Sequence, residues 1–257
     1  MVELIHALIL GLIQGLTEWL PVSSSGHLAM AQLFFGLKLP VAFDVMLHLS
    51  TVLVVVLFFR RDIIKMLRSV ARLDFSSEHG RLAVCVIIGS IPTAVIGFFF
   101  HDLFKSFFYS FSSLALAFIF TGVILFVSNK NLGKKALGFR DSFIIGIAQG
   151  VAIIPGVSRS GMTISVGMMK GLDRKSVARF SFLLSIPAVL GAAVFESGDL
   201  AFSGISLSSL IVAMIVSFFV GWFSLKLLLR VIMVKKFHMF AYYCLALGLS
   251  LLVFIGS

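Results

Sequence analysis

Six stretches of the chain are long and apolar enough to cross a membrane. Each has about 20 mostly apolar residues, the length that the hydrocarbon core of a bilayer requires. Apolar runs of this length, without the strict alternation of a half-buried strand, predict helices. The predicted spans cover residues 42–59, 82–100, 111–128, 176–195, 207–227 and 238–256.

Two further apolar regions, residues 1–36 and 141–171, are interrupted in the middle by proline, glycine and serine. Proline pushes the residue before it out of the helical conformation, and serine hydroxyls cap the start of a helix. In each region we therefore predict a helix, a break and a shorter helix. In the first region, Pro21 ends the first helix, and Gly26 and His27 begin the next.

The two broken regions match each other at a constant offset of 135 residues, with seven identities in sixteen positions. This match predicts two repeat units in a single polytopic membrane domain, about residues 1–128 and 141–257. Each unit has one broken pair and three full crossings, and an odd number of crossings places the second unit upside down. The identical pairs are Gly11/Gly146, Gln14/Gln149, Gly15/Gly150, Val22/Val157, Ser23/Ser158, Ser25/Ser160 and Gly26/Gly161.

The sequence thus predicts an all-α integral membrane protein with an inverted-topology repeat, in which each half is a broken re-entrant helix pair plus three transmembrane helices. Irregular backbone at membrane depth is tolerated only where protein buries it or a watery cavity solvates it. In inverted repeats, such breaks meet near the midplane of the membrane and form a binding site. The two breaks are therefore where function is expected.

Composition supports a membrane protein, and the placement of charge removes one class of partner. Of the 257 residues, 60% are hydrophobic and 12% are charged, whereas soluble domains have about 25% charged residues. Basic loops stay on the cytoplasmic side of a membrane, so the net charge of +10 reflects topology, and no nucleic-acid partner is expected. Eighteen of the 21 Lys and Arg residues lie in residues 60–81, 129–140, 170–179 and 226–236.

Both breaks have the composition of an anion-binding site. The free N–H groups and partial positive charge at a helix start attract anions, and the first break offers the hydroxyls of Ser23, Ser24 and Ser25 beside such a start. The second break, "PGVSRSGMT" at 155–163, adds Arg159, one of the three basic residues outside the clusters. Two helix starts and a guanidinium facing one cavity would suit a phosphate or a diphosphate.

Acid–base chemistry is concentrated at the first break. Gln14 and Glu18 are four residues apart and share one helix face, and an ionisable residue at this depth is by default a functional candidate. Near an anion, the Glu18 carboxylate is expected to be a metal ligand or a proton acceptor. His27 can carry a proton near neutral pH or attack phosphorus.

Simpler interpretations stay open. Glu18 could mark a helix end at the membrane interface, Arg159 could reach a lipid headgroup, and the serines could serve only as caps. "FHD" at 100–102 is interpreted as an interfacial turn rather than a metal-binding pair. His48 and Asp44, four residues apart, share one side of the first span and are predicted to approach the cavity.

The two breaks resemble a known family. "QGLTEWLPVSSSGHL" and "PGVSRSGMTIS" are similar to the two signature motifs of the undecaprenyl-diphosphate phosphatases, bacterial membrane enzymes associated with bacitracin resistance. "LLSIPAVLGA" at 183–192 and "FHDLFKS" at 100–106 extend the likeness along the chain. The resemblance implies a polyprenyl diphosphate substrate, a divalent metal ion such as Mg²⁺ or Ca²⁺, and a site in the bacterial cytoplasmic (inner) membrane that opens to the periplasmic side.

The resemblance also assigns roles to residues of this chain. Glu18 becomes a catalytic residue and metal ligand, and Ser24, His27 and Arg159 become catalytic residues. The family motif often has glutamate at the position of Gln14, so here Glu18 is expected to supply the carboxylate alone. The predicted substrate-binding residues are Gln14, Ser23, Ser25, Ser158, Ser160 and Thr163.

The expected function is hydrolysis of undecaprenyl diphosphate to undecaprenyl phosphate and inorganic phosphate, which recycles the lipid carrier for cell-wall synthesis. The attacking group is left open among His27, Ser24 and a water. A secondary transporter or flippase for a phosphorylated lipid is the alternative, because broken helices in an inverted repeat suit it equally. The sequence also leaves open whether the chain acts alone or as a homodimer.

Overall fold

All regular secondary structure in the described residues is helical, apart from one isolated β-bridge between Lys135 and Leu172. The computed structural model describes residues 3–108, 110–128, 133–196, 205–234 and 236–256. The helices are α1 (Leu4–Thr17), α2 (Ser24–Phe34), α3 (Val41–Phe58), α4 (Arg60–Ala71), α5 (Glu78–Phe99), α6 (His101–Phe107), α7 (Phe111–Ser128), α8 (Phe139–Val151), α9 (Arg159–Met169), α10 (Arg174–Phe195), α11 (Leu207–Met233) and α12 (Met239–Gly256).

The six predicted spans are confirmed as α3, α5, α7, α10, α11 and α12, each long and apolar enough to cross a membrane. The chain is a multi-pass membrane protein. The largest difference in length is at α11, which continues to Met233, six residues beyond the predicted end. Arg230 lies in this extension, and Lys226 lies just before it. Long basic side chains such as these can reach the headgroups from a membrane helix. The hydropathy pattern did not predict α4 and α6.

Both predicted breaks are present, but the second helix of the first pair begins earlier than expected. The predicted start at Gly26 and His27 is wrong by two residues, because Ser23 caps a helix that begins at Ser24. The Ser23 hydroxyl accepts the Gly26 N–H at 3.2 Å. The corresponding cap at α9 is formed by Ser158, whose hydroxyl accepts the backbone N–H three residues later at 3.1 Å.

The repeated glycines allow close packing between the predicted units. A Cβ atom on Gly11 in α1 would lie 2.5 Å from the carbonyl oxygen of Ala213 in α11. A Cβ atom on Gly146 in α8 would lie 2.1 Å from the carbonyl oxygen of Gly89 in α5. Small residues let membrane helices approach this closely. Each broken pair therefore packs against the second long span of the other unit, while the inversion of the second unit stays a prediction.

These close contacts predict the effect of a minimal substitution. Gly146→Ala should lower the melting temperature in detergent, because the new methyl group meets backbone that must shift, and overpacking of this kind costs about 1–3 kcal/mol. Gly191→Ala is the matched control, since nothing lies within 4 Å of its added Cβ atom. Equal melting temperatures for the two variants would contradict the proposed role of Gly146.

Candidate active site

One cavity of about 540 Å³ receives residues from both breaks. Its walls also include residues of α3, α5, α6, α8 and α10, so elements that are distant in the sequence meet around it. Much of the lining is apolar. Several of the polar side chains form two clusters, one around Glu18 and one around Glu196. These polar side chains are Glu18, Ser23, Ser24, Ser25, Asp44, His48, Ser90, Thr93, His101, Lys105, Gln149, Ser158, Arg159 and Glu196.

Glu18 forms the centre of the polar network at the breaks. One of its carboxylate oxygens accepts a hydrogen bond from Arg159 of the second break, 141 residues away in sequence. The other oxygen accepts from the Ser24 hydroxyl at 2.6 Å and from Gln14 Nε2 at 2.9 Å. His48 Nδ1 lies 2.8 Å from the same oxygen. The two breaks are thus joined through one carboxylate.

Local structure explains how Glu18 and its partners are presented. Glu18 is the residue that follows α1, one helical turn after Gln14, so both side chains lie on the same side of the helix end. Ser24 is the first residue of α2, and Arg159 is the first residue of α9. The Glu18 side chain is only 2% exposed, and a buried carboxylate requires paired charge and hydrogen-bond donors. Its four partners supply both.

Arg159 is held on two sides, and one of its guanidinium nitrogens has no hydrogen-bond partner among the described residues. Glu18 binds its Nη2 atom, and the guanidinium carbon lies 5.3 Å from the centre of the buried Trp19 ring, within the range of a cation–π contact. Its Nη1 atom is buried and makes no hydrogen bond within the part of the chain that the structure describes. Arg159 lines the cavity and its side chain is 14% exposed, so its positive charge is available to an anion there.

Six of the ten residues predicted for the site line the cavity. They are Glu18, Ser23, Ser24, Ser25, Ser158 and Arg159. The first turns of α2 and α9 therefore border the same space, as the sequence predicted. An unpaired guanidinium nitrogen beside two helix starts favours binding of a phosphate group.

The other four predicted residues lie behind the cavity wall. Gln14 is fully buried and contacts Glu18. Ser160 donates a hydrogen bond to the carbonyl oxygen of Leu20 at 3.2 Å, which connects the two breaks. The hydroxyl oxygen of Thr163 lies 2.5 Å from that of Ser181 on α10. The structure thus brings these side chains near the site without exposing them to the cavity.

His27 is the fourth of these residues, and both of its ring nitrogens are engaged. Nδ1 lies 2.7 Å from the carbonyl oxygen of Ser23, and Nε2 lies 2.7 Å from the Tyr243 hydroxyl. The ring also packs edge-on against Phe118. In this arrangement His27 holds the capping residue of α2 in place and does not reach the cavity.

Sequence reasoning left two cavity-lining residues of α3 out of the predicted site. His48 contacts Glu18 directly, and Asp44, one turn earlier on α3, lines the cavity and accepts a hydrogen bond from Gln32 Nε2 at 2.9 Å. Their four-residue spacing predicted that both approach the cavity, which the structure confirms. Nothing in the sequence indicates that His48 contacts Glu18. Gln149, the repeat partner of Gln14, also lines the cavity.

A second charged cluster lies elsewhere in the cavity wall. His101 Nε2 lies 2.7 Å from one carboxylate oxygen of Glu196, and Lys105 Nζ lies 3.1 Å from the other. The interpretation of "FHD" as an interfacial turn is wrong for two of its residues: Phe100 is a turn residue between α5 and α6, but His101 and Asp102 begin α6. His101 connects α6 to the end of α10. Aromatic side chains at this part of the cavity, including Phe98, Phe104 and Phe195, provide an apolar surface.

Oxygen atoms at the end of α1 are candidate metal ligands. The described residues contain no group of three or more His, Cys, Asp or Glu side chains that could hold a metal ion. Gln14 Oε1 is buried without a hydrogen-bond partner among them, and the Glu18 carboxylate lies one turn further on. Mg²⁺ is commonly held by one or two carboxylates together with substrate phosphates and waters. This donor set fits a divalent ion that binds jointly with a phosphorylated ligand.

The arrangement suits transfer of a phosphoryl group. A serine hydroxyl bonded to a carboxylate is a nucleophile beside a base. An unpaired guanidinium donor and two helix starts can stabilise the charge of the transferred group. Binding an anion would require only the donors, so the base is the distinguishing feature of this site.

Comparison with known proteins shows one consistent similarity. The family model described as "Bacitracin resistance protein BacA" matches residues 7–250. The undecaprenyl-diphosphatase of Carboxydothermus hydrogenoformans is 44% identical over 260 residues, which cover 96% of both chains. The undecaprenyl-diphosphatase of Halothermothrix orenii is 37% identical and that of Methanosphaera stadtmanae 35% identical, over 99% and 98% of both chains.

The contact between Glu18 and Arg159 predicts a non-additive effect on stability. Arg159→Met should lower the free energy of unfolding by about 3 kcal/mol or more, because it leaves a buried carboxylate without its cation. Adding Glu18→Gln should restore most of that loss. The measurement is unfolding by SDS in mixed micelles, with Arg230→Met, which removes an exposed arginine on α11, as the control. A loss in the double variant equal to the sum of the losses in Arg159→Met alone and Glu18→Gln alone would show that the two charges are not coupled.

Proposed function

Because the chain belongs to the bacitracin resistance protein BacA family, we propose that it hydrolyses undecaprenyl diphosphate to undecaprenyl phosphate and inorganic phosphate. The reaction regenerates the lipid carrier used in cell-wall synthesis, and it accounts for bacitracin resistance. The observation that carries the proposal is the Glu18 carboxylate bonded to both Ser24 and Arg159 in one cavity. No relative named above is a transporter, and an anion carrier needs no nucleophile paired with a base.

The cavity has separate regions for the two parts of this substrate. We place the terminal phosphate against Arg159 and the first turns of α2 and α9, which border the cavity. Ser23, Ser25 and Ser158 line this region and could donate to phosphate oxygens. The prenyl chain is placed along the apolar wall that includes Phe98 and Phe195.

In the proposed reaction, the Ser24 oxygen attacks the terminal phosphorus and Glu18 accepts the hydroxyl proton. The bond between that phosphorus and the bridging oxygen breaks, and undecaprenyl phosphate leaves with the bridging oxygen. A water then hydrolyses the phosphoserine, which releases inorganic phosphate and restores the Ser24 hydroxyl. The 2.6 Å hydrogen bond between Ser24 and Glu18 supports this choice of nucleophile.

His48 and His27 are assigned positioning roles. His48 lies against the same Glu18 oxygen that accepts from Ser24 and keeps the carboxylate turned towards the hydroxyl. His27 holds the Ser23 carbonyl, and thereby the start of α2 that presents Ser24. A direct attack by His27 would require both of its hydrogen bonds to be released.

The divalent metal ion is part of the proposal. The Glu18 carboxylate, which lines the cavity, would hold it together with diphosphate oxygens, which suits the preference of Mg²⁺ and Ca²⁺ for oxygen ligands. Bound there, it would neutralise charge on the phosphoryl oxygens. Gln14 can contribute only a neutral oxygen, so Glu18 supplies the negative charge of the protein ligands.

We place the enzyme in the bacterial cytoplasmic (inner) membrane, with the cavity open to the periplasmic side. The concentration of Lys and Arg in residues 60–81, 129–140, 170–179 and 226–236 supports this orientation. A homodimer stays a prediction, and every side chain of the proposed site comes from one chain.

Three substitutions test the roles at the site, measured as phosphate release from polyprenyl diphosphate by purified protein in detergent. Glu18→Gln, Arg159→Ala and Ser24→Ala should each reduce turnover by about a thousandfold or more, because the three groups act as a unit. Ser50→Ala is the matched control: this buried serine bonds a carbonyl of its own helix and does not line the cavity. Near-normal turnover in the Glu18 or Arg159 variant, with the protein folded, would refute the assignment.

His27→Gln separates the candidate nucleophiles and should reduce turnover far less than Ser24→Ala does. Phosphoserine at position 24, trapped by acid quenching, would identify the covalent step. Complete loss of activity in the His27 variant together with activity in the Ser24 variant would move the attack to His27.

Chelation tests the proposed metal. Removal of divalent ions should abolish phosphate release, and Mg²⁺ or Ca²⁺ should restore it. Mg²⁺ added with methylene diphosphonate should raise the melting temperature of the unmodified protein but not of Glu18→Gln. Unchanged turnover after chelation would exclude an essential metal ion.

A further inference from the structure

Helix α4 differs from every other helix in how it meets the rest of the protein. None of its residues is fully buried. Ile63 and Met66 pack against the hydrophobic core, while Ile64 is 46% exposed and Leu67 is 64% exposed. The helix therefore has a second apolar edge, beside the packed one, which no described residue covers.

A basic stripe lies next to this exposed apolar edge. Arg61, Lys65, Arg68 and Arg72 are spaced at intervals of four, three and four residues, which places them along one side of a helix. All four side chains are exposed, and none forms an ion pair with a residue that the structure describes. The only acidic residue of α4, Asp62, is already bonded to Arg179 of α10 at 2.5 Å.

The exposed apolar edge continues the lipid-facing surface of the protein. α4 follows α3 after the single residue Phe59, and the end of α3 exposes Leu57 and Phe58. A helix with one apolar face and a Lys- and Arg-rich polar face characteristically lies in the plane of a membrane surface. The predicted cytoplasmic location of this segment also fits, because the cytoplasmic leaflet carries the anionic lipids.

We propose that α4 lies in the cytoplasmic membrane interface, with Ile64 and Leu67 at the acyl boundary and with Arg61, Lys65, Arg68 and Arg72 binding the headgroups of anionic phospholipids. Four exposed positive charges that form no ion pair with a described residue, next to apolar side chains, match an anionic lipid surface in both charge and depth. The same geometry would not favour a zwitterionic lipid, whose headgroup carries no net charge.

Fluorescence quenching by labelled lipids tests this proposal without reference to enzymatic activity. Leu67→Cys is labelled with a polarity-sensitive dye and reconstituted into vesicles of phosphatidylcholine and phosphatidylglycerol. The headgroup-proximal nitroxide quencher is carried either by phosphatidylglycerol or by phosphatidylcholine, in otherwise identical vesicles. Cys85 and Cys244 are buried, and the unmodified chain measures their background labelling.

The expected result is quenching by both lipids, with phosphatidylglycerol at least about twofold more effective. In the variant R61Q/K65Q/R68Q/R72Q, the two lipids should quench equally, while the melting temperature shows that the fold is kept. Val253→Cys, on an exposed position of α12 without basic neighbours in its helix, is the control and should show no preference in the unmodified background.

Three results would overturn the proposal. Equal quenching by the two lipids in the chain that keeps Arg61, Lys65, Arg68 and Arg72 would exclude selective binding of anionic phospholipid. Absence of quenching at position 67 would place α4 away from the membrane, and disulfide formation between two Leu67→Cys chains would identify a second copy as its partner instead.

Discussion

The structure of the site depends on the need to neutralise one buried carboxylate. Glu18 follows a helix in the interior of a membrane protein, where an unpaired charge would be strongly destabilising. Its arginine partner, Arg159, comes from the other break, so this ion pair forms only when both breaks meet. The catalytic geometry and the pairing of the two helix pairs thus have the same physical cause.

The six spans and the positions of the breaks were predictable because membrane insertion imposes simple rules of length and polarity. Proline and serine mark the breaks as clearly as hydropathy marks the spans. α4 and α6 were missed for the same reason: α4 is amphipathic and α6 has seven residues, so neither forms a long apolar run. The start of α2 was predicted less accurately, because Ser23, Ser24 and Ser25 are equally plausible caps in the sequence. Only the backbone geometry selects Ser23.

Within the site, the sequence identified residue types better than their positions. Glu18, Ser24 and Arg159 are unusual in an apolar chain, so chemistry alone selects them. Whether a side chain faces the cavity depends on the relative rotation of packed helices, which composition does not determine. For this reason His27 was predicted to be a reactive group, although its ring contacts Tyr243. For the same reason His48 was predicted to approach the cavity, but its contact with Glu18 was not predicted.

The close contact between Gly11 and Ala213 also concerns the order of events during synthesis. These residues are about 200 positions apart, so α1 leaves the ribosome long before α11, the helix against which it packs. Until α11 is inserted, the glycine face of α1 lacks the helix against which it packs, so the position of the carboxylate at the end of α1 is not yet fixed. The chemistry of the site is thus encoded near the start of the chain, but its support is completed only when the fifth of the six spans enters the membrane.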